Sequence, residues 1–422
     1  MLNGNLPDGW MWATLGEVTQ INGRDVAIRD LPDDLPVTFL PMAAVDAEKG
    51  IIAQPEVRPL KYVRKGFTPF SDGDVLFAKI TPSMENGKAA IARKLRNGRG
   101  FGSTEFHVLR PKGAVTVDWI FHFIRQEHFR KDAKARFAGT AGQLRVPASF
   151  LVDYPIPVAP LPEQERIVAK IEELFTQLEA GVAALKRVQA GLKRYKASVL
   201  KAACEGRLFD TTGRGGSPEG WRWVKLDEIA ETIGGVTKGR DLTGKPTITL
   251  PYLRVANVQR GNLELEVMKE IEVLASEIEK YRLRDGDVVL TEGGDWDKLG
   301  RSAIWRNQIS NCIHQNHIFR ARVKTSDVIP EWLMYYTNSE QGQDYFKEAA
   351  KQTTNLASIN LTQLRACPIP LPPLAEQHRI VAEVERRLSV AAQVESVVGG
   401  ALARASRLRQ TVLKAAFDGK LI

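Results

Sequence analysis

Several stretches of this chain carry residue types used in catalysis or metal binding, and each lacks a group that the chemistry needs. Gly239-Arg240-Asp241-Leu242-Thr243-Gly244-Lys245 has the spacing of a phosphate-cradling loop, but Pro246 stands where a hydroxyl would hold magnesium. Leu371-Pro372-Pro373-Leu374 lacks both the amide or carboxylate and the aromatic that an amino-methyltransferase places around Pro-Pro. Asp132-Ala133-Lys134 copies the tail of a nuclease motif without a suitable upstream acid. His314 and His317 could ligate a metal, yet no third ligand lies near them in sequence. Asp295 and Asp297 read more simply as turn residues. The cysteines, Cys204, Cys312 and Cys367, are three isolated residues that form neither a disulfide framework nor a zinc pattern, so a reducing cytoplasm is expected. No catalytic residue, bound cofactor or metal is expected of this chain.

What remains is binding. Lys and Arg total 59 against 50 Asp and Glu, a formal charge of +9 over 422 residues, which favours a polyanionic partner. The first residues lack the basic and apolar regions of a signal peptide, and no apolar run approaches the ~18 residues of a membrane span. At this length two domains are expected.

The elements that must position a binding surface come from a duplication. Pro7-Asp8-Gly9-Trp10-Met11-Trp12 returns as Pro218-Glu219-Gly220-Trp221-Arg222-Trp223, 211 residues later. Asp72-Gly73-Asp74-Val75 returns as Asp285-Gly286-Asp287-Val288, and Gly87-Lys88-Ala89-Ala90-Ile91 as Gly300-Arg301-Ser302-Ala303-Ile304, both at an offset of 213. Glu163 to Ala169 matches Glu376 to Ala382, and Val199 to Ala203 matches Val412 to Ala416. One offset held over most of each half makes the chain two copies of one unit. Each copy opens with short β-branched runs, such as 74–80, 89–92 and 105–109 or 287–291 and 318–323, followed by a helical stretch near 119–137 or 332–350.

Each copy closes, after a proline-rich break, with a long helix. In the first, Ile167, Ile171, Leu174, Leu178, Gly181, Leu185, Val188, Leu192, Tyr195, Val199 and Ala202 alternate by four and three, a coiled-coil seam with one gap. Gly181 is either a seam defect or a point of close backbone approach. The second seam runs Ile380, Val384, Arg387, Ala391, Val394, Val398, Ala401, Ala405, Leu408, Val412, Ala415. About 40 residues at ~1.5 Å each make a rod of roughly 60 Å. Glu205-Gly206 and Asp418-Gly419 supply the C-caps. The first helix is acidic in front (Glu163, Glu165, Glu172, Glu173, Glu179) and basic behind (Lys186, Arg187, Lys193, Arg194, Lys196, Lys201), and the second repeats this. Antiparallel pairing would match opposite charges at both ends, although complementation of each helix dipole explains the same pattern without a partner.

The Pro-Xaa-Gly-Trp starts at 7–10 and 218–221, the Leu-Xaa-Glu-Gln-Xaa-Arg-Ile-Val helix entries at 161–168 and 374–381, and the Val-Leu-Lys-Ala-Ala endings at 199–203 and 412–416 carry a resemblance over essentially the whole chain. In these it resembles the specificity subunits of type I restriction–modification systems. The resemblance implies an α+β chain of two target-recognition domains (1–160 and 207–373) separated by two long antiparallel coiled-coil helices (161–206 and 374–422). It implies that each domain reads half of a split double-stranded DNA target. Two methyltransferase subunits, which would hold the S-adenosylmethionine, would dock on the helices, and restriction and translocase subunits would join for cleavage. Ile167, Ile171, Leu174, Leu178, Leu185, Leu192, Ile380, Val384, Val394 and Leu408 are the expected pairing and docking positions. The rival readings are a coiled-coil adaptor of another complex and a self-sufficient DNA methyltransferase or nuclease.

Base readout needs donors and acceptors aimed at base edges, whereas Lys and Arg on phosphates supply affinity. In the first domain, residues 86–104 hold Lys88, Arg93, Lys94, Arg96 and Arg99 without an acid, and read as a phosphate-facing loop or a merely solvated one. Lys79, Thr81 and Asn86 beside it end a strand with polar side chains. By resemblance to the family's polar loops, Ser103, Glu105, Gln143 and Arg145 are further candidates. In the second domain the matching candidates are Thr291, Glu292, Lys298, Arg301, Gln315, Asn316 and Asn355. The two sets differ in residue type, which implies different half-sites.

Overall fold

The computed structural model describes residues 6–23, 28, 30–140, 143–209, 219–352 and 357–422. Two compact units emerge, Met1–Leu185 with Gly400–Ile422, and Lys186–Gly399. Each is a mixed α and β body built on the same plan, and the boundary between them falls inside both long helices.

In the first unit an antiparallel sheet has the order Thr19–Ile21, Phe106–Pro111, Val75–Ala78, Ala89–Ile91. The second unit repeats it as Ala230–Gly234, Ile318–Val323, Val288–Thr291, Ser302–Ile304. The central pairing keeps the 213-residue offset on one side: Val75 faces Leu109, and Val288 faces Ala321. All four residues of each central strand are buried, which is why these runs are apolar rather than alternating, save for Thr291 at the end of the second. Asp74 and Asp287, one residue before those strands, are buried, and each is gripped by two nitrogens of an arginine (Arg110 at 2.7 and 2.8 Å, Arg322 at 2.7 and 2.7 Å). The repeated Asp-Gly-Asp-Val motif is thus a buried ion-pair anchor.

A second sheet differs between the copies. It has four strands in the first unit (Glu56–Pro59, Pro36–Leu40, Arg99–Gly102, Thr68–Ser71) and three in the second (Lys269–Leu274, Thr247–Leu253, Ile313–His314). In both units a two-stranded ribbon joins the Trp-Xaa-Trp segment to the Pro-Xaa-Pro segment: Met11–Thr14 with Pro155–Val158, and Arg222–Lys225 with Pro368–Leu371. Prolines are tolerated there because the ribbon is all edge. Each expected helical stretch is instead two helices, Val117–Ile124 and Glu127–Ala135, or Pro330–Asn338 and Glu340–Ala349.

The long helices span Leu161–Cys204 and Leu374–Phe417, 44 residues each. Both end in a Schellman cap, with Gly206 and Gly419 at positive φ and Arg207 and Lys420 donating back to Ala202 and Ala415 at 2.8 Å. Inside each unit the helical segments run antiparallel. In the first, Phe175 and Glu179 both meet Arg409, while Ile167 and Ile171 share a core with Leu413, Ala416 and Phe417. In the second, Lys196 pairs with Glu395, while Val199 and Ala203 share a core with Ile380 and Val384. Acid meets base in both, as charge polarity predicted.

Burial corrects the seam. Ile167, Ile171, Ile380 and Val384 are buried, and Leu174, Leu178, Leu185 and Leu192 are partly so. Val394 and Leu408, expected in the seam, are 37% and 51% exposed, and Leu413 and Ala416 are buried in place of Leu408's row. The helix ends are claimed by the globular cores, which rotates the buried face away from the register that a free coiled coil would keep. A methyl group on Gly181 would touch nothing within 4 Å, so no backbone approaches there.

The Gln of each helix-entry motif ties helix to body. Gln164 and Gln377 are fully buried. Gln164 accepts the Thr116 N–H at 2.9 Å and donates to the carbonyls of Ala159 (2.7 Å) and Ala114 (3.1 Å). Gln377 does the same with Ile329 (3.1 Å), Pro372 (2.8 Å) and Asp327 (2.7 Å). Beneath them Trp119 and Trp332 donate their indole N–H to Pro157 and Pro370 at 3.0 and 2.9 Å.

Gln164→Ala strands a buried N–H and two carbonyls, and is expected to cost the first unit roughly 2–4 kcal/mol, seen as faster amide exchange in strands 75–78 and 106–111 but not in 288–291. Acid sensitivity follows from two buried histidines. Burial holds His122, among Arg125, Arg409 and Arg93, down to about 3, and His314, beside Arg320, Asp287 and Arg322, down to about 4. Because the unfolded rings protonate first, their stabilisation is complete above the unfolded value of about 6.5 and is lost as pH falls from there towards 4 and 3. His122→Leu is expected to flatten the fall in first-unit stability over that window, measured by denaturant titration at several pH values.

Candidate nucleic-acid interface

The central strand leaves its sheet at the same end in both units, and its continuation is caught by a segment returning from the helical pair. In the first unit Ile80 and Ala138 both bridge to Arg145. The Thr81 N–H donates to the Leu144 carbonyl at 3.0 Å, and the Val146 N–H to that of Lys79 at 2.9 Å. In the second unit Gly293–Gly294 pairs with Ala357–Ser358, which pairs with Lys351–Gln352. Ile80 and Gly293, and Arg145 and Ser358, lie 213 residues apart, so the duplication carries one polar strand-end cluster into two settings.

At the first cluster Arg145 clasps Glu105 through two hydrogen bonds of 2.9 Å, and this holds the Glu105 carboxyl below the usual carboxylate range, with Lys79 adding to the effect. Arg145 also donates to the Gln143 carbonyl at 2.9 Å, and Ser103 Oγ accepts the Glu105 N–H at 3.2 Å. The Thr81 hydroxyl donates to Glu85, whose carboxylate meets Lys134 at 2.6 Å. Asn86 is exposed beside them. Lys79, Thr81, Ser103, Glu105, Gln143 and Arg145 are therefore one network.

Residues 86–104 do not form a loop. They contain Ala89–Ile91 and Arg99–Gly102, strands of two different sheets. Lys88 donates to the Met42 carbonyl at 2.9 Å, Arg93 is paired with Asp118, and Arg99 sits opposite Ser71 in the second sheet. The stretch is acid-free in sequence only, because Asp118 from a helix folds against it and pairs with Arg93.

At the second cluster Thr291 is fully buried. Its hydroxyl donates to the Lys298 carbonyl and accepts the Arg301 N–H at 3.0 Å, closing the loop from inside. Glu292 accepts from His317 Nδ1 at 2.5 Å, and Gln315 and Asn316 are partly exposed just before it. Lys298 pairs with Asp295, and Arg301 with Asp297 and with Gln259 Oε1 at 2.7 Å. His314 is turned inward, its Nδ1 donating to the Ile318 carbonyl at 2.8 Å, so the two histidines do not converge. Asp295 and Asp297 act as loop residues with paired charges. Asn355 lies outside the described residues.

Sequence reasoning passed over Arg260 and Trp296 and weighed Lys134 only as the tail of a nuclease motif. Arg260 donates to the Asp297 carbonyl at 3.0 Å, and burial, with Arg301 beside it, lowers it to about 10. Trp296 stands 46% exposed on the short 3-10 turn Trp296–Lys298. Lys134 and Arg260 come from distant parts of the chain, which no local pattern announces. The three cysteines are buried, and burial pushes each thiol up to about 12, far from reactive.

Two copies of one α+β unit, each ending a buried strand in a polar cluster and each leaning on long helices, define a duplicated recognition protein. Residues 7–186 and 218–386 match the family model for the type I restriction modification DNA specificity domain, and the chain belongs to that family. It is 29% identical to the type I restriction enzyme EcoKI specificity subunit of Escherichia coli strain K12, covering 100% of this chain and 91% of that one. It is 27% identical to the EcoEI specificity subunit of Escherichia coli, covering 93% and 80%. A chain from a structure of the complex assembly and conformational transition of the type I R-M system superimposes with a TM-score of 0.77 at 25% identity over 99% of this chain and 100% of its own. The HsdS subunit from Thermoanaerobacter tengcongensis shares the fold, with a TM-score of 0.64 at 24% identity over 99% of both chains.

Since Arg145 is the main reason that Glu105 stays ionised to low pH, Arg145→Ala is expected to raise the Glu105 carboxyl towards the ordinary glutamate range. A carboxyl carbon NMR titration of selectively labelled protein checks this. An unmoved Glu105 would mean that another group holds it.

Proposed function

We propose that this chain is the DNA-specificity subunit of a type I restriction–modification complex and that its two units read the two halves of a bipartite double-stranded target. One observation carries this: the strand-end cluster occurs twice at matching positions in a chain of this family, but with different side chains. Lys79, Ser103 and Glu105 in one copy correspond to Glu292, Gln315 and His317 in the other, with the Lys79 N–H bonded to the Glu105 carbonyl and the Glu292 N–H to that of His317. Repeated frames with unlike polar groups are what two different half-sites require, because base edges are distinguished by donor and acceptor patterns.

The chain supplies recognition, and the chemistry belongs to its partners. Two methyltransferase subunits hold S-adenosylmethionine and dock on the long helices, where Val188, Tyr195, Val390, Val394 and Val397 in the second unit and Leu408 in the first leave apolar surface exposed. Restriction and translocase subunits join through them, and the assembly works in the cytoplasm.

Replacing residues 6–160 with the matching stretch of a relative, and mapping methylated bases in DNA from cells carrying the complex, tests the assignment. The expected outcome is that one half of the methylated motif changes and the other persists. If both halves stay as they were, the first unit is not a reader.

A further inference from the structure

The loop from Thr291 to Arg301 in the second unit is unusually over-determined. The Thr291 hydroxyl bonds both the Lys298 carbonyl and the Arg301 N–H. Arg260 and Arg301 reach in from either side to the Asp297 carbonyl, each at 3.0 Å. Gly293 lies so close to the pairing strand that a methyl group would sit 2.1 Å from the Ala357 carbonyl, and Gly294 has a φ of 137°. Such a loop has little freedom to fold its side chains away.

At its tip stands Trp296. Its indole has no hydrogen-bond partner and no ring contact among the described residues, and it is nearly half exposed although it is the largest apolar side chain at the cluster. Asp295 and Asp297 flank it, their charges matched by Lys298 and Arg301. Matched acids at the tip make this a poor surface for phosphates, which want unpaired cations, but a good one for base edges. There, carboxylates accept from cytosine amino groups, and an apolar side chain has one complement in the major groove, the thymine 5-methyl group. At the matching offset in the first unit stands Ser83, partly buried and unable to make such a contact.

We propose that Trp296 is a specificity-determining residue that packs its indole on the 5-methyl group of a thymine in the half-site read by the second unit. This rests on the DNA-reading role proposed above. Trp296 selects thymine by apolar contact, while the polar groups at the strand end from which its loop leaves, Glu292, His317, Gln315 and Asn316, read neighbouring base edges. The first unit, with Ser83 there, makes no equivalent demand.

The test uses the full chain assembled with its methyltransferase subunits and duplexes carrying the mapped target, in which each thymine of the second half-site is replaced in turn by deoxyuridine, which lacks only the methyl group. Binding is read by fluorescence anisotropy for the wild type and for Trp296→Ala and Trp296→Phe. One replacement is expected to weaken wild-type binding about five- to tenfold, to have no further effect on Trp296→Ala, and to keep part of its effect with Trp296→Phe. On unmodified target, Trp296→Ala should itself lose about as much, with amide exchange of strand 288–291 unchanged. If no deoxyuridine weakens wild-type binding, if the second half-site contains no thymine, or if Trp296→Ala responds to deoxyuridine like the wild type, the proposal is overturned. A wild-type complex that binds target and scrambled duplexes equally overturns the DNA-reading role as well, which separates the two failures.

Discussion

Each globular unit is unfinished without both long helices. The first core closes only when Ile167 and Ile171 from the start of one helix and Leu413, Ala416 and Phe417 from the end of the other fill it, and Trp119 packs on Phe417 at 4.5 Å. The second closes on Val199, Ala203 and Cys204 with Ile380, Val381 and Val384. Burying such side chains is worth about 1.5–3 kcal/mol each, more than the partly exposed Glu179–Arg409 and Lys196–Glu395 pairs, at about 0–1 kcal/mol. Apolar burial at the helix ends therefore fixes the pairing and its direction, and the charge pattern is compatible with it.

That constraint explains why the motifs shared by the two copies are structural. Gln164 and Gln377 satisfy backbone groups between helix and body, Asp74 and Asp287 anchor arginines under the central strand, and Trp10 and Trp221 pack edge-on against Trp119 and Trp332 at 5.5 and 5.4 Å. What recurs is the frame, and what differs is the set of side chains that the frame presents. A recognition protein built by duplication needs this division, since the frame can be copied while the surface diverges.

Charge at the clusters is mostly internally matched. Glu105 is held by Arg145, Glu85 by Lys134, Asp295 by Lys298, and Asp297 by Arg301. Paired groups lose fewer rotamers when they meet a partner than free ones do, so a pre-organised network favours discrimination over raw affinity. The net charge of +9 is a property of the whole chain, whereas these clusters hold acids and bases in pairs.

The duplication, the fold class, the long helices with their caps, the antiparallel pairing and the family were legible in the sequence, because repeated motifs and heptad spacing are local or periodic signals. So was the strand end at Lys79–Thr81, where an apolar run gives way to polar residues. Tertiary structure alone decided which face of each helix is buried, so that Leu413 and Ala416 are buried while Leu408 is exposed. It turned Thr291 and His314 inward, split residues 86–104 between two sheets, and brought Arg260 and Lys134 to the clusters. The reason is the same in each case: these outcomes depend on which distant surfaces compete for a side chain, and that competition is settled only when the cores close.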